Sequence, residues 1–414
     1  MKYKLLLVLF LTAGMIALAK VPKTGNAGLV LPTGFTAVKI ADNYGKVRHI
    51  AVTNQGGIYV KLNKFYKGKG ILYFSYNAKA DKYSLSKSFG NYTGTGIYIK
   101  NNYLYASSDE DVYRYLLNDK GEVMNPAKPD LIVKGLPSKG EHESKSIVVD
   151  GNNNLYVNIG AYSNSCQVND REKGSMGQKP CPVLEDAGGI WQFKASTFNQ
   201  TQKDGNRYAT GLRNVVGLDW NNQTNSLFVM QHGRDELHNL FPSLYDDKQS
   251  AELPAECMYN LHQGSNCGWP YIYYDQLVNQ KIVAPEYGGD GKKSTNEYDN
   301  PAVAFPGHLA PNGLLFYIGN QFPSKYKNGA FIAFHGSWNR APLPQEGYYV
   351  DFVPFINGKP SGKWEVFANG FAGAVKTPHG SAHRPCGLAQ DAAGNLYVTD
   401  DTKGTIYRIS YTGQ

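Results

Sequence analysis

The chain has 414 residues, and its 42 Lys and Arg outnumber its 34 Asp and Glu, for a formal charge of +8. No Lys/Arg-rich run concentrates that excess, which argues against nucleic-acid binding. The abundance of Tyr (30) and Gly (45) favours a protein of strands and turns over a helical one.

In chain order, the first feature is Lys2 and Lys4 ahead of the apolar run Leu5 to Leu18, closed by Ala17-Leu18-Ala19. This is the pattern of a secretory signal peptide, expected over residues 1–19 with cleavage after Ala19. No later apolar run is long enough to span a membrane, and no cysteine follows the leader to carry a lipid. Residues 20–414 are therefore expected to form one periplasmic or secreted domain.

The mature part repeats a short, aromatic-rich strand phrase preceded by Gly, Asn or a small residue. It reads GIYV (57–60), NYLY (102–105), NLYV (154–157), SLFV (226–229), AFIA (330–333) and NLYV (395–398). Often a second strand lies upstream across an Asp/Asn-Gly turn and a third follows, as a meander requires. Six such units without helical periodicity between them predict an all-β, six-bladed β-propeller with long inter-strand loops. The largest expected insertions are residues 160–188 and 238–300. Among the cysteines, Cys166 with Cys181 and Cys257 with Cys267 flank polar loops and are the expected disulfides, leaving Cys386 unpaired.

In a propeller the loops of every blade converge on one channel mouth, so function is sought at equivalent strand ends. Glu141-His142-Glu143 offers a general base flanked by carboxylates. Arg213, Arg340 and Arg384 lie at the ends of different blades and could clamp an anion. The stretch QHGRDE (231–236) follows a strand and reads either as a salt-bridged cap or as an oxygen-rich cation site. No P-loop, dinucleotide fingerprint or nucleophile elbow is present.

These clusters resemble those of the pyrroloquinoline-quinone (PQQ)-dependent sugar dehydrogenases, a group of soluble aldose (glucose) dehydrogenases and sorbosone dehydrogenases. The resemblance spans roughly residues 30–412 through GLRNVVGLDW (211–220), QHGRDEL (231–237), NCGWP (266–270), FHGSWNR (334–340) and HRPCGLAQDAAGNLYVTDD (383–401). In wording FHGSWNR and HRPCG are nearer the sorbosone-type branch.

The resemblance implies a propeller holding the quinone beside a calcium ion at the channel mouth. It makes His142 the base that takes the sugar hydroxyl proton while hydride passes from the sugar carbon to the quinone. Arg213 and Asn214 would contact cofactor and reaction centre, with Gln231, Asp235, Arg340, Arg384 and Arg48 as further cofactor residues. His232 and Gly233 would give backbone carbonyls to calcium, and Glu236, Cys267 and Asp275 would fall at a second, structural calcium site. With no C-x-x-C-H haem motif, electrons would leave to a separate cytochrome, cupredoxin or quinone.

Three departures stand out. Ala161 occupies the place of the aspartate that orients the histidine in glucose enzymes, Cys386 that of a second cofactor arginine, and Arg48 that of a glutamine. Two other readings of the same residues are a non-catalytic extracellular propeller that binds carbohydrate or peptide, and a calcium-dependent lactonase-type hydrolase. The three arginines argue against the first, and a proposed metal site made of backbone carbonyls argues against the second.

Overall fold

The structure is a computed structural model that describes residues 25–413. The expected signal peptide lies outside the described residues. Each of the six repeated phrases becomes the second strand of one sheet, within Ile58–Tyr66, Tyr103–Ser107, Asn154–Ile159, Ser226–Gln231, Ala330–Phe334 and Leu396–Asp400. Each of these six sheets has four antiparallel strands and forms one blade, and the third carries a further short strand, Ser265–Asn266, paired in parallel at its edge.

The innermost strand of each blade precedes that phrase: Val47–Val52, Ile97–Lys100, Ile147–Val149, Val215–Asn221, Pro311–Phe316 and Pro385–Gln390. These strands pack side by side around the channel. They are short and mostly apolar because neighbouring blades cover their faces, which removes the alternation of a half-exposed strand.

The turns explain why the phrase repeats. In the third blade Asp150 accepts from the backbone amides of Asn152 and Asn154 and from the side chains of Asn154 and Tyr156. In the sixth, Asp391 does the same for the Asn395 amide and side chain and the Tyr397 hydroxyl. One aspartate thus closes the turn and anchors the aromatic of the next strand.

The ring closes where Phe35–Ala41 pairs antiparallel with Ile406–Tyr411, so the first and last strands of the chain share a blade. Phe35 is buried there among the rings of Phe322, Tyr326, Phe367 and Tyr411. Residues 160–188 are an insertion, as expected. The expected insertion 238–300 is only partly one, because Glu256–Leu261 within it is the third strand of the fourth blade.

Two disulfides were expected and one forms, between Cys166 and Cys181 with Cα atoms 6.1 Å apart. Cys257 and Cys267 are buried free thiols, a correction to the expected pairing. Cys257 sits mid-strand opposite Gln231 and Ala304, whereas the Cys267 amide is tied to the Thr210 carbonyl of the preceding blade. Cys386 is free, as expected.

Four innermost strands break register near their starts, between Val47 and Ile50, Val215 and Leu218, Pro311 and Gly313, and Pro385 and Leu388. A bulge re-aims the side chains around it. These four sit where the strands reach one channel mouth, next to Arg48, Arg213, Asn312 and Arg384.

Because Phe35 fills the seam between the first and last strands, Phe35→Ala is expected to cost about 3–5 kcal/mol. Urea unfolding checks this, with Val38→Ala, an exposed position on the same strand, expected to stay within about 1 kcal/mol of the parent.

Candidate active site at the channel mouth

A cavity of about 270 Å³ opens at this mouth, and its wall draws on loops far apart in sequence. Glu141 and His142 precede the innermost strand of the third blade, and Arg213 that of the fourth. His232, Gly233 and Asp235 follow the second strand of the fourth blade, and Trp338 and Asn339 follow that of the fifth. The opposite end of the channel holds a comparable space of about 260 Å³, walled mostly by Ile, Leu and Val of the innermost strands. Charged groups concentrate at the first mouth.

His142 has a positive φ of 50°, and its side chain lines the cavity. Its Nδ1 donates to the carbonyl of Ala161 at 2.5 Å. The missing aspartate is thus replaced by a backbone oxygen of the very residue that stands in its place. That bond fixes the tautomer and leaves Nε2 without a proton. Burial and the nearby Arg213 pull the His142 pKa down to about 3, so the ring is neutral and ready to accept. Gly160 permits the close approach, since a Cβ there would lie 2.7 Å from the His142 Cβ and 2.9 Å from the Asn214 Oδ1.

Arg213 and Asp235 form the central ion pair, with Arg213 Nη2 donating to Asp235 Oδ2 at 2.8 Å. Nη1 donates to the Gly233 carbonyl at 2.8 Å, one of the two oxygens expected to face calcium. The other Asp235 oxygen accepts from Asn339 Nδ2 at 2.8 Å and lies 3.6 Å from His308 Nδ1. Burial alone would raise the Asp235 pKa, but Arg213 and His308 outweigh it and hold the carboxyl well below the usual range. Glu256 receives the Gly233 and Ala310 amides, yet burial pushes its pKa up to about 7.

Beside this pocket the sixth blade supplies a second cluster. Asp401 bridges Arg48 Nη1 at 2.8 Å and His335 Nε2 at 2.6 Å. Arg384 donates to the carbonyls of His335 and Gly336. Gln231 is half-buried at its strand end, with its side-chain oxygen unbonded, and Asn214 backs His142.

Arg340 does not face the cavity, a correction to its expected place. Its Nη1 donates to the carbonyls of Ala251 and Gly307 at 2.8 and 2.9 Å, and its Nη2 to Glu252. The expected second calcium set is not gathered either. Glu236 pairs with Arg171 at 3.0 Å, Asp275 caps the amides of Leu277 and Val278, and Cys267 is buried in the core. Among the described residues no three His, Cys, Asp or Glu side chains are placed to hold a metal ion.

Arg171, Glu256, His308, Trp338 and Asn339 line the cavity without having been singled out from sequence. Trp338 and Asn339 lie inside FHGSWNR, and Arg171 inside the expected insertion. Glu256 carried a readable signal, a carboxylate opening an otherwise apolar strand. His308 carried none.

Fold and pocket together define a six-bladed propeller with a charged cavity at one channel mouth. The sequence profile of the TrAA12-like family matches residues 29–412, and the chain belongs to that family. An uncharacterised protein of Borreliella burgdorferi is 28% identical, the alignment covering 99% of this chain and 97% of that protein. The PQQ-dependent pyranose dehydrogenase of Coprinopsis cinerea is 27% identical over 64% of this chain, a match that spans 41% of that longer enzyme. Among solved structures, the holo PQQ domain of the Coprinopsis enzyme superposes with a TM-score of 0.73 at 20% identity, covering 92% of this chain and 97% of the other. A calcium structure of a Trichoderma reesei family AA12 enzyme gives 0.73 at 18% identity, covering 95% and 99%.

The His142 ring is expected to stay neutral from about pH 8 down to about pH 5, without the midpoint near 6.5 of a free imidazole. Nitrogen-15 NMR of the labelled ring checks this. Arg213→Gln removes the nearby positive charge and is expected to raise the midpoint.

Proposed function

We propose that the protein is a PQQ- and calcium-dependent dehydrogenase that oxidises an aldose, pyranose or sorbosone-like sugar aldehyde and passes the electrons to a separate acceptor. The observation that carries this reading is the His142 geometry, a base with its Nδ1 committed to Ala161 and its Nε2 free, set beside Arg213 in a TrAA12-like propeller.

The residues present suit a flat, polyanionic ligand. Nε of Arg48 and Nε of Arg213 are buried donors without a partner in the protein, fit for an anion, and Oε2 of Glu141 and Oδ1 of Asn339 are unpartnered acceptors, fit for a hydroxyl or a cation. Unsatisfied buried groups carry a cost that a ligand removes. Arg48, Arg213 and Arg384 would hold the cofactor's carboxylates and carbonyls, with Asn214, Gln231 and Asp235 beside them. The carbonyls of His232 and Gly233 would face calcium, which favours oxygen donors. When bound, PQQ supplies an electron-deficient quinone that accepts a hydride from the sugar carbon.

The protein's own residues do the rest. His142 Nε2 accepts the proton of the sugar hydroxyl, and the Ala161 carbonyl steadies the resulting imidazolium. Negative charge arriving in the pocket would offset the Arg213 part of the shift, though not the larger part due to burial, and so strengthen the base. Arg213 contributes positive charge where negative charge gathers. The exposed Trp338 at the rim offers a flat apolar face to a pyranose ring.

Residues 1–19 are proposed as a signal peptide and the remainder as one propeller domain acting in the periplasm or outside the cell. No helix among the described residues is long and apolar enough to cross a membrane. The acceptor would be a cytochrome, a cupredoxin or a quinone.

Protein mixed with calcium and PQQ is expected to gain sugar-dependent dye reduction. His142→Gln should lower kcat by ~10²–10⁴-fold while leaving quinone affinity within a few fold. Failure to bind the quinone, or no turnover with any aldose, pyranose or sugar aldehyde, would overturn the proposal.

A further inference from the structure

The mouth was expected to take a cation from Arg340, and Arg340 has none to give. Its guanidinium donors go to Ala251, Gly307 and Glu252, and the side chain is almost fully buried. A different arginine reaches the cavity wall. Arg171 comes from the 160–188 insertion, far from every cluster the sequence pattern marked, and it lines the same cavity as His142, Arg213 and Asp235.

Its donors are underused. Only the Nη1 contact with Glu236, at 3.0 Å, is a hydrogen bond. Its other charged neighbours stand off: Asp235 at 3.5 Å, Glu141 at 3.6 Å and Asp170 at 3.7 Å. A guanidinium has five N–H groups in a planar fork, and here one hydrogen bond and three longer ion pairs engage it, so a better-placed acceptor can displace the longer contacts.

The loop is built to hold it there. Cys166 and Cys181 close the insertion, and the Arg171 amide donates to Gln167 Oε1 at 3.0 Å. Asn164 and Asp235 exchange two hydrogen bonds, Asn164 Nδ2 to the Asp235 carbonyl and the Asp235 amide to Asn164 Oδ1. Trp269 Nε1 donates to the Asn164 carbonyl. The insertion is thereby pinned to the turn that carries the central carboxylate. Arg171 itself sits at φ 56°, a left-handed conformation that long side chains rarely adopt and that persists where surrounding bonds enforce it.

We infer that Arg171 is a carboxylate-binding residue of the cofactor pocket, supplied by the disulfide-closed insertion in place of Arg340. This deepens the proposed function and rests on it. The fork would take one of the quinone's carboxylates, with Arg171 giving up its longer contacts to Asp235 and Glu141.

Absorbance titration of calcium-loaded protein with PQQ, and in parallel with its neutral trimethyl ester, separates charge recognition from loop architecture. Arg171→Gln is expected to weaken PQQ binding by on the order of tenfold or more and to leave ester binding within about twofold, with Arg171→Lys recovering part of the loss. Lys139→Gln, which removes an exposed cation paired with Asp186, should leave both titrations unchanged. Equal PQQ affinity in parent and Arg171→Gln, with the parent binding normally, overturns this inference alone. So does an equal loss for PQQ and ester, the mark of a merely structural arginine. Absence of PQQ binding in the parent overturns the function reading, and the inference with it. Thermal melting confirms that each variant is folded.

Discussion

The site depends on ring closure. Pairing of Phe35–Ala41 with Ile406–Tyr411 turns a row of meanders into a circle. Only in a circle do the starts of six innermost strands face one another. His142, Arg213, Asp235, Asn339 and Arg48 come from four different blades, yet they meet because each stands at an equivalent strand end. The pocket thus draws its charge from many blades, and no single segment contains it.

The second constraint is electrostatic. Arg213 serves three partners at once, the Asp235 carboxylate, the Gly233 carbonyl and, through space, the His142 ring. It keeps Asp235 ionised and adds to burial, the larger cause, in keeping His142 unprotonated. The same charge that favours an anion in the pocket therefore also disfavours a proton on His142. The left-handed turn at His142 with the bare Gly160 beneath it sets how closely the ring approaches the strand.

The propeller was legible because its turn chemistry repeats. The Asp–Asn–Tyr bond set of the third and sixth blades leaves nearly the same wording in both places, DGNNNLYV and DAAGNLYV. Strand ends carrying His142, Arg213 and Asp235 were legible for the same reason, since a strand that stops in clustered charge is uneconomical as a plain turn. The sequence hid what depends on side-chain direction. Arg340 sits one residue after Asn339, yet Asn339 reaches Asp235 while Arg340 turns into buried carbonyls. Cys257 and Cys267 flank a polar loop and pack in one core cluster, yet remain free thiols. The orienter of His142 was sought as a side chain and is a backbone oxygen, which no residue type announces. Arg171 lies in an insertion whose fold the blade pattern does not determine.

The most direct test of this account is a crystal structure of the protein with calcium and PQQ bound. The account predicts the quinone at the mouth lined by His142, Arg213 and Asp235, with His142 Nδ1 still on the Ala161 carbonyl and its Nε2 facing the reacting side of the ligand. A quinone bound at the opposite end of the channel, or a His142 ring turned away with its Nε2 engaged by the protein, would contradict it.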